Sequence, residues 1–137
     1  MGVRVRVRLR GGGGEEFSSA LVNTGYEGVR PEVHVPLALA RRLGYSLEGA
    51  RSERYAVVGG EVTAFRLGQV RVSLDVEPPR GEVLAEAVCA LGEYEVIIND
   101  ALAEELGIEV LAPRRGLWRV KGDERMRESS EPMFWTE

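Results

Sequence analysis

A seven-residue unit occurs twice in the chain. Leu39-Ala40-Arg41-Arg42-Leu43-Gly44-Tyr45 aligns with Leu102-Ala103-Glu104-Glu105-Leu106-Gly107-Ile108 at an offset of 63. Each copy reads as a short helix with leucines at i and i+4 on one face, stopped by glycine and followed by a large apolar residue. Each lies downstream of an apolar strand that ends in an asparagine turn: Ala20-Leu21-Val22-Asn23-Thr24-Gly25 in the first copy, Val96-Ile97-Ile98-Asn99-Asp100 in the second. The first copy inserts a further segment between turn and helix. Such a repeat predicts two related halves of about 60 residues around a pseudo-twofold axis. With 137 residues in all, the halves belong to one domain with a single core.

The remaining elements read as strands. Val3, Val5, Val7 and Leu9 alternate with Arg4, Arg6, Arg8 and Arg10, the period-2 pattern of a strand with one buried and one charged face. The charged stripe predicts a solvated face or a protected edge, and Gly11 to Gly14 make the turn after it. Phe17 to Val22 is the next strand and Val33 to Val35 a short one. Pro36 suits the start of the first helix. Tyr55 to Val58 and Val62 to Leu67 flank Gly59-Gly60, a β-hairpin with a glycine tip. Val70 to Val76 and Val83 to Leu91 are further strands. Val96 to Ile98 is short and wholly apolar, as in a strand buried on both faces. Asn99 and Asp100 cap the second helix, and Ile108 to Leu111 and Leu117 to Val120 complete the β structure. The expected fold class is all-β, mostly strand with two short helices, in one domain over residues 1–122. Residues 123–137 are expected as a polar, mobile tail with an apolar end, Met133-Phe134-Trp135, that seeks a surface beside the N-terminal strand or in a neighbour's groove.

Composition excludes several classes of function. The single cysteine, Cys89, rules out an internal disulfide and a cysteine zinc cage, and the single histidine, His34, rules out a paired-histidine mechanism. No metal and no cofactor are expected. Cys89 reads as a small buried apolar side chain and His34 as a strand residue. A net charge of −4 makes nucleic acid an unlikely partner. No apolar run is long enough to span a bilayer and none at the start resembles a leader, so no membrane partner and a cytoplasmic location are expected. Arginine outnumbers lysine 17 to 1, with two asparagines and one glutamine in all. That bias fits a thermophile or a GC-rich genome alike.

Val22-Asn23-Thr24-Gly25-Tyr26-Glu27-Gly28, with its short helix ending in Leu43-Gly44, resembles the retropepsin-like aspartic proteases. The nearest form is the small prokaryotic one, whose pattern is Val-Asp-Thr-Gly-Phe-x-Gly. The family's second signature is two aliphatics, a glycine, a variable residue and a helix ending in Leu-Gly. Here it reads Ile97-Ile98-Asn99-Asp100, with the helix closing at Leu106-Gly107. The hairpin at Val58, Gly59 and Gly60 falls where the family has its flap. The resemblance covers about residues 3 to 121. It implies a closed acid-protease barrel with one half-site per chain, and a homodimer in which each protomer supplies one triplet to a flap-covered groove. Thr24 would brace the two loops across the interface, and Gly25 would permit the tight turn. The groove would take an extended peptide or unfolded polypeptide segment.

One departure decides the chemistry implied. Aspartic-protease catalysis needs two carboxylates sharing a proton, one acting as base towards water and one polarising the peptide carbonyl. The dyad position here is Asn23, and an amide is no general base at neutral pH. In a homodimer both halves lose the carboxylate together, so the chain is expected to be inactive or severely impaired. A natural pseudoenzyme, an engineered Asp→Asn substitution and a fold match without shared function each account for this. Asn99, at the second signature's glycine position, favours natural divergence, because that position is not where catalysis would be silenced. Glu27 and Asp100 are expected to support the loops rather than replace the base. From another class, Val33-His34-Val35-Pro36 with Leu43-Gly44 and Glu48-Gly49 resembles AbrB-like DNA-binding domains, and the arginine stripe would then contact DNA.

Overall fold

The computed structural model describes residues 2–57 and 59–136. β1 (Arg4–Gly11) and β2 (Gly14–Val22) form an antiparallel hairpin joined at Gly12-Gly13. Both joining glycines have positive φ, which side chains other than glycine resist. Val3, Val5, Val7 and Leu9 are buried while the alternating arginines point out, so the period-2 pattern sets which face is core.

Six strands close into a barrel. β3 (Glu32–His34), β5 (Gly60–Leu74), β6 (Val83–Ala90) and β7 (Val96–Ile98) complete the ring β1-β2-β7-β3-β6-β5 and back to β1. Closure comes from the antiparallel register Val7↔Leu74 to Arg10↔Arg71. The arginine-striped strand is therefore paired on both sides and is not the protected edge that the stripe allowed. Its arginines each meet a carboxylate: Arg4 with Glu95, Arg6 with Asp75 at 3.6 Å, Arg8 with Glu15 at 3.0 Å and Arg10 with Glu82 at 2.6 Å.

β4 (Ser52–Val57) extends from β5 as the second arm of a hairpin. β5 runs unbroken for 15 residues where the sequence predicts two strands. Gly68, with φ of 114°, forms a bulge at the register shift between Arg66 and Gly68, so the glycine bends the strand instead of ending it. The segment inserted in the first repeat copy contains β3. It pairs antiparallel with β7 and parallel with β6, so the insertion is what bridges the ring.

The helices α1 (Leu37–Leu43) and α2 (Asp100–Glu105) both bury leucines, Leu39 and Leu43 in the first and Leu102 in the second. Gly44 ends α1 in the left-handed conformation at φ 103°, and its N–H reaches the carbonyls of Ala40 and Arg41. A small sheet of β8 (Ile108–Ala112), β9 (Leu117–Val120) and β10 (Arg127–Glu128) follows.

Residues 123–136, expected as a mobile tail, are tied to the barrel. β10 pairs with β9, the Ser130 N–H donates to the Arg4 carbonyl at 2.9 Å, and the Met133 N–H donates to Ser19 Oγ at 2.7 Å. Of the apolar knot, Trp135 packs against the core while Phe134 stays exposed. The knot thus rests on its own chain, beside the first hairpin.

Gly44 and Gly49 separate two costs of adding a side chain. Both have positive φ, but a Cβ at Gly44 would overlap the Gly12 carbonyl, whereas nothing lies within 4 Å of one at Gly49. Gly49→Ala is expected to cost about 1–2 kcal/mol, the strain of the left-handed backbone alone. Gly44→Ala should cost clearly more, because the α1 terminus must move off the β1–β2 turn. Urea unfolding of the two variants measures the difference.

Candidate functional site

β2 and β7 lie side by side and parallel, in the register Leu21↔Ile97 and Val22↔Ile98. The two asparagine turns therefore leave the sheet at the same end, and the Asn23 N–H donates to the Ile98 carbonyl at 3.1 Å. The residues singled out in the two signatures, Asn23-Thr24-Gly25 and Ile97-Ile98-Asn99-Asp100, form one site.

The two asparagines do different work there. Asn23 is exposed, and its Oδ1 accepts from the Gly25 N–H at 3.0 Å, an Asx turn. Thr24 is exposed too, and its hydroxyl has no partner among the described residues. Asn99 is fully buried. Its Oδ1 accepts from the N–H groups of Leu102 at 2.9 Å and Glu32 at 3.0 Å, and its Nδ2 donates to the Arg30 carbonyl at 2.9 Å. One amide thus caps α2 and anchors the segment that leads into β3. Asp100 adds to this, its Oδ1 accepting from the N–H groups of Gly28 and Ala101 at 3.0 and 2.8 Å. A Cβ at Gly28 would come within 2.8 Å of Asn99 Nδ2, so this glycine is required by close approach.

Above these turns is an open cavity of about 370 Å³. Asn23, Gly25 and Tyr26 line one end, and His34, Val88, Ala90 and Ile97 line its floor. Tyr55, Ala56, Val62 and Ala64 of the β4–β5 hairpin form a wall. Among the described residues, Glu27 and Glu93 bring carboxylates to its lining. Of the flap residues, Gly59 and Gly60 do not line the cavity, and Val58 lies outside the described residues. The body of the hairpin, rather than its tip, meets the site.

Sequence reasoning missed a polar network behind this cavity. The Tyr55 hydroxyl donates to the buried Glu32 carboxylate at 2.9 Å, and the Tyr55 and Tyr26 rings meet edge to face at 6.5 Å. The Tyr26 hydroxyl is buried without a hydrogen-bond partner among the described residues. Burial foremost, then the nearby Glu32 charge, pushes the Tyr26 phenol far above its ordinary range. Burial and the bond to Glu32 do the same for Tyr55. Both phenols therefore remain neutral donors at any ordinary pH. Glu53 is held below the usual carboxylate range by the Arg66 guanidinium at 2.6 Å. The pairing rests on contacts between residues distant in the chain, which no local pattern signals.

His34 is buried in β3, with Nδ1 2.8 Å from the Glu95 carbonyl and Nε2 3.3 Å from the Ala90 carbonyl. Burial lowers its pKa, and the two carbonyls only partly oppose that. Cys89 is buried. Among the described residues no group of three or more His, Cys, Asp or Glu is arranged to hold a metal, and no helix is long and apolar enough to cross a membrane.

No protein-family model and no curated protein matches the chain.

The lowered pKa of His34 predicts a pH dependence of stability. An unfolded histidine takes up a proton near pH 6.5, while the folded one does so only at lower pH. The stabilisation is therefore complete above about 6.5 and is lost as pH falls towards the folded value, at no more than about 1.4 kcal/mol per pH unit. His34 is the only histidine, and His34→Asn keeps a donor near the Glu95 carbonyl. Chemical denaturation between pH 7 and 5 should show a decline for the parent chain and a flat profile for His34→Asn.

Proposed function

We propose that this chain is a retropepsin-like protein whose peptide-binding groove persists without aspartic-protease chemistry, and that it works as a homodimer. The observation that carries this reading is the parallel β2–β7 pair. It brings Asn23-Thr24-Gly25 and Asn99-Asp100 to one end of a closed six-stranded barrel, beneath the β4–β5 hairpin. The exposed triplet and the unpartnered Thr24 hydroxyl support a second protomer at this point, since a twofold pairing of the loops would give each threonine a partner. The mostly apolar walls between two sheet segments suit an extended peptide, held through backbone hydrogen bonds and shallow side-chain pockets.

Asn23 makes the groove silent towards peptide hydrolysis. Its amide takes no proton from water, and a twofold pair of amides donates and accepts with no proton to share. Asn99 favours natural divergence over an engineered change, because the second asparagine is buried and makes three hydrogen bonds that hold the fold. The DNA-binding alternative needs free guanidinium groups on β1, and each of the four arginines there lies against a carboxylate.

The test is Asn23→Asp. The variant should sediment as a dimer and cleave unstructured peptides best at acid pH, with inhibition by statine-type compounds, while the parent chain sediments as a dimer without cleaving. A folded monomer at micromolar concentration, or equal cleavage by the parent chain, contradicts the reading.

A further inference from the structure

The turn between β6 and β7, residues 91–95, carries Glu93 into the groove and is gripped from both sides. On the groove side the His34 ring spans its two ends, facing the Ala90 and Glu95 carbonyls. On the outer side the Trp135 N–H donates to the Tyr94 carbonyl at 2.8 Å. Arg4 makes two bonds to the Glu95 carboxylate, at 2.5 and 3.1 Å. Glu93 folds back on the turn, its Oε1 accepting from the N–H groups of Tyr94 and Glu95 at 3.1 and 3.3 Å.

Trp135 is itself seated in a fitted receptor. Its indole N–H donates to Ser18 Oγ at 2.9 Å, and the Arg42 guanidinium lies 5.8 Å above its ring. Two residues earlier, the Met133 N–H donates to Ser19 Oγ. Ser18 stands opposite Val7 in the β1–β2 register, on the face where β1 places valine and leucine. Both serines are buried. Two adjacent buried hydroxyls in a barrel strand cost stability unless they are bonded. Ser18 donates its own to the Ser19 carbonyl at 2.8 Å, and the segment Met133–Trp135 brings a donor to each hydroxyl oxygen.

We infer that Trp135 is a positioning residue for the groove: docked on Ser18 and Arg42, it holds the 91–95 turn against His34 and so sets where Glu93 stands. This inference rests on the peptide-groove reading for its purpose, but the clamp itself is a property of the chain without ligand. It assigns the 123–136 segment a role at a site its residues do not line.

Amide hydrogen exchange of the full chain tests it, comparing the parent with Trp135→Ala and Trp135→Phe. The phenylalanine variant keeps an aromatic face under Arg42 and loses only the indole donor. Exchange at Tyr94 and Glu95 should quicken by about tenfold or more in Trp135→Ala, given the usual worth of a hydrogen bond and its associated packing. Trp135→Phe should fall between that variant and the parent. The amides of β1 should keep their protection throughout, and the His34 ring should titrate closer to pH 6.5 in Trp135→Ala as the turn lifts from it. Unchanged exchange at residues 94 and 95 overturns the inference. So does an increase shared equally by β1, which would make Trp135 a general stabiliser. Because no ligand is used, either negative result leaves the groove reading standing. An inert Asn23→Asp with the exchange effect intact removes the groove reading and leaves the clamp.

Discussion

The side chain of Asn99 joins three parts of the molecule that have no covalent reason to meet. It caps α2, bonds the N–H of Glu32 at the start of β3, and holds the Arg30 carbonyl. β3 lies between β7 and β6, so the amide fixes the strand that closes the ring on that side. Closure gives the cavity its floor, and the Gly28 N–H on Asp100 sets the loop that carries Asn23 and Tyr26 into it. A cap alone contributes about 0.5–2 kcal/mol, and each buried partner left unbonded costs about 1–3 kcal/mol more. A single amide with three such bonds is among the most sensitive positions in the chain.

Asn23 occupies the matching place in the first repeat copy, yet burial separates the two roles. Asn99 is enclosed, and its three hydrogen bonds serve the helix cap and the segment leading into β3. Asn23 is exposed at the cavity with only its own turn to maintain. The repeat thus supplied two similar turns, and their surroundings made one a joint and left the other facing the groove. Around the groove, Tyr26, Tyr55 and Glu32 form a network of neutral phenols and one buried carboxylate behind the wall. The Tyr55–Glu32 bond ties the β4–β5 hairpin to β3, and the ring contact with Tyr26 carries it to the loop after Asn23.

Elements with a strong local signal were legible. The Val/Arg alternation placed β1, and both Leu-Gly endings marked real helix stops. The all-apolar Val96-Ile97-Ile98 run placed β7, although Ile97 is only half-buried, on the cavity side, rather than enclosed on both faces. A mostly β, closed barrel was expected and is present, whereas the meeting of the two asparagine turns comes from the parallel β2–β7 register, which no local motif states. Gly68 misled because a glycine in a strand signals a break or a bulge equally well, and only pairing with β6 distinguishes them. The 123–131 segment misled because its polar composition says nothing of the backbone partners waiting on β9 and β1. Ser18 and Ser19 read as ordinary strand residues, for their partners Trp135 and Met133 lie more than a hundred positions away. The enclosure of His34 by two carbonyls is a property of the closed ring and was invisible for the same reason.

The division between the two asparagines is best tested by replacing each with leucine, which matches asparagine in shape and removes its hydrogen bonds. Equilibrium unfolding of Asn23→Leu and Asn99→Leu compares them directly. Asn99→Leu is expected to lose about 3 kcal/mol or more, from the cap and the stranded Glu32 and Arg30 groups. Asn23→Leu, losing one exposed turn bond, should stay within about 1 kcal/mol of the parent. Equal losses at the two positions, or a tolerated Asn99→Leu, would contradict the account.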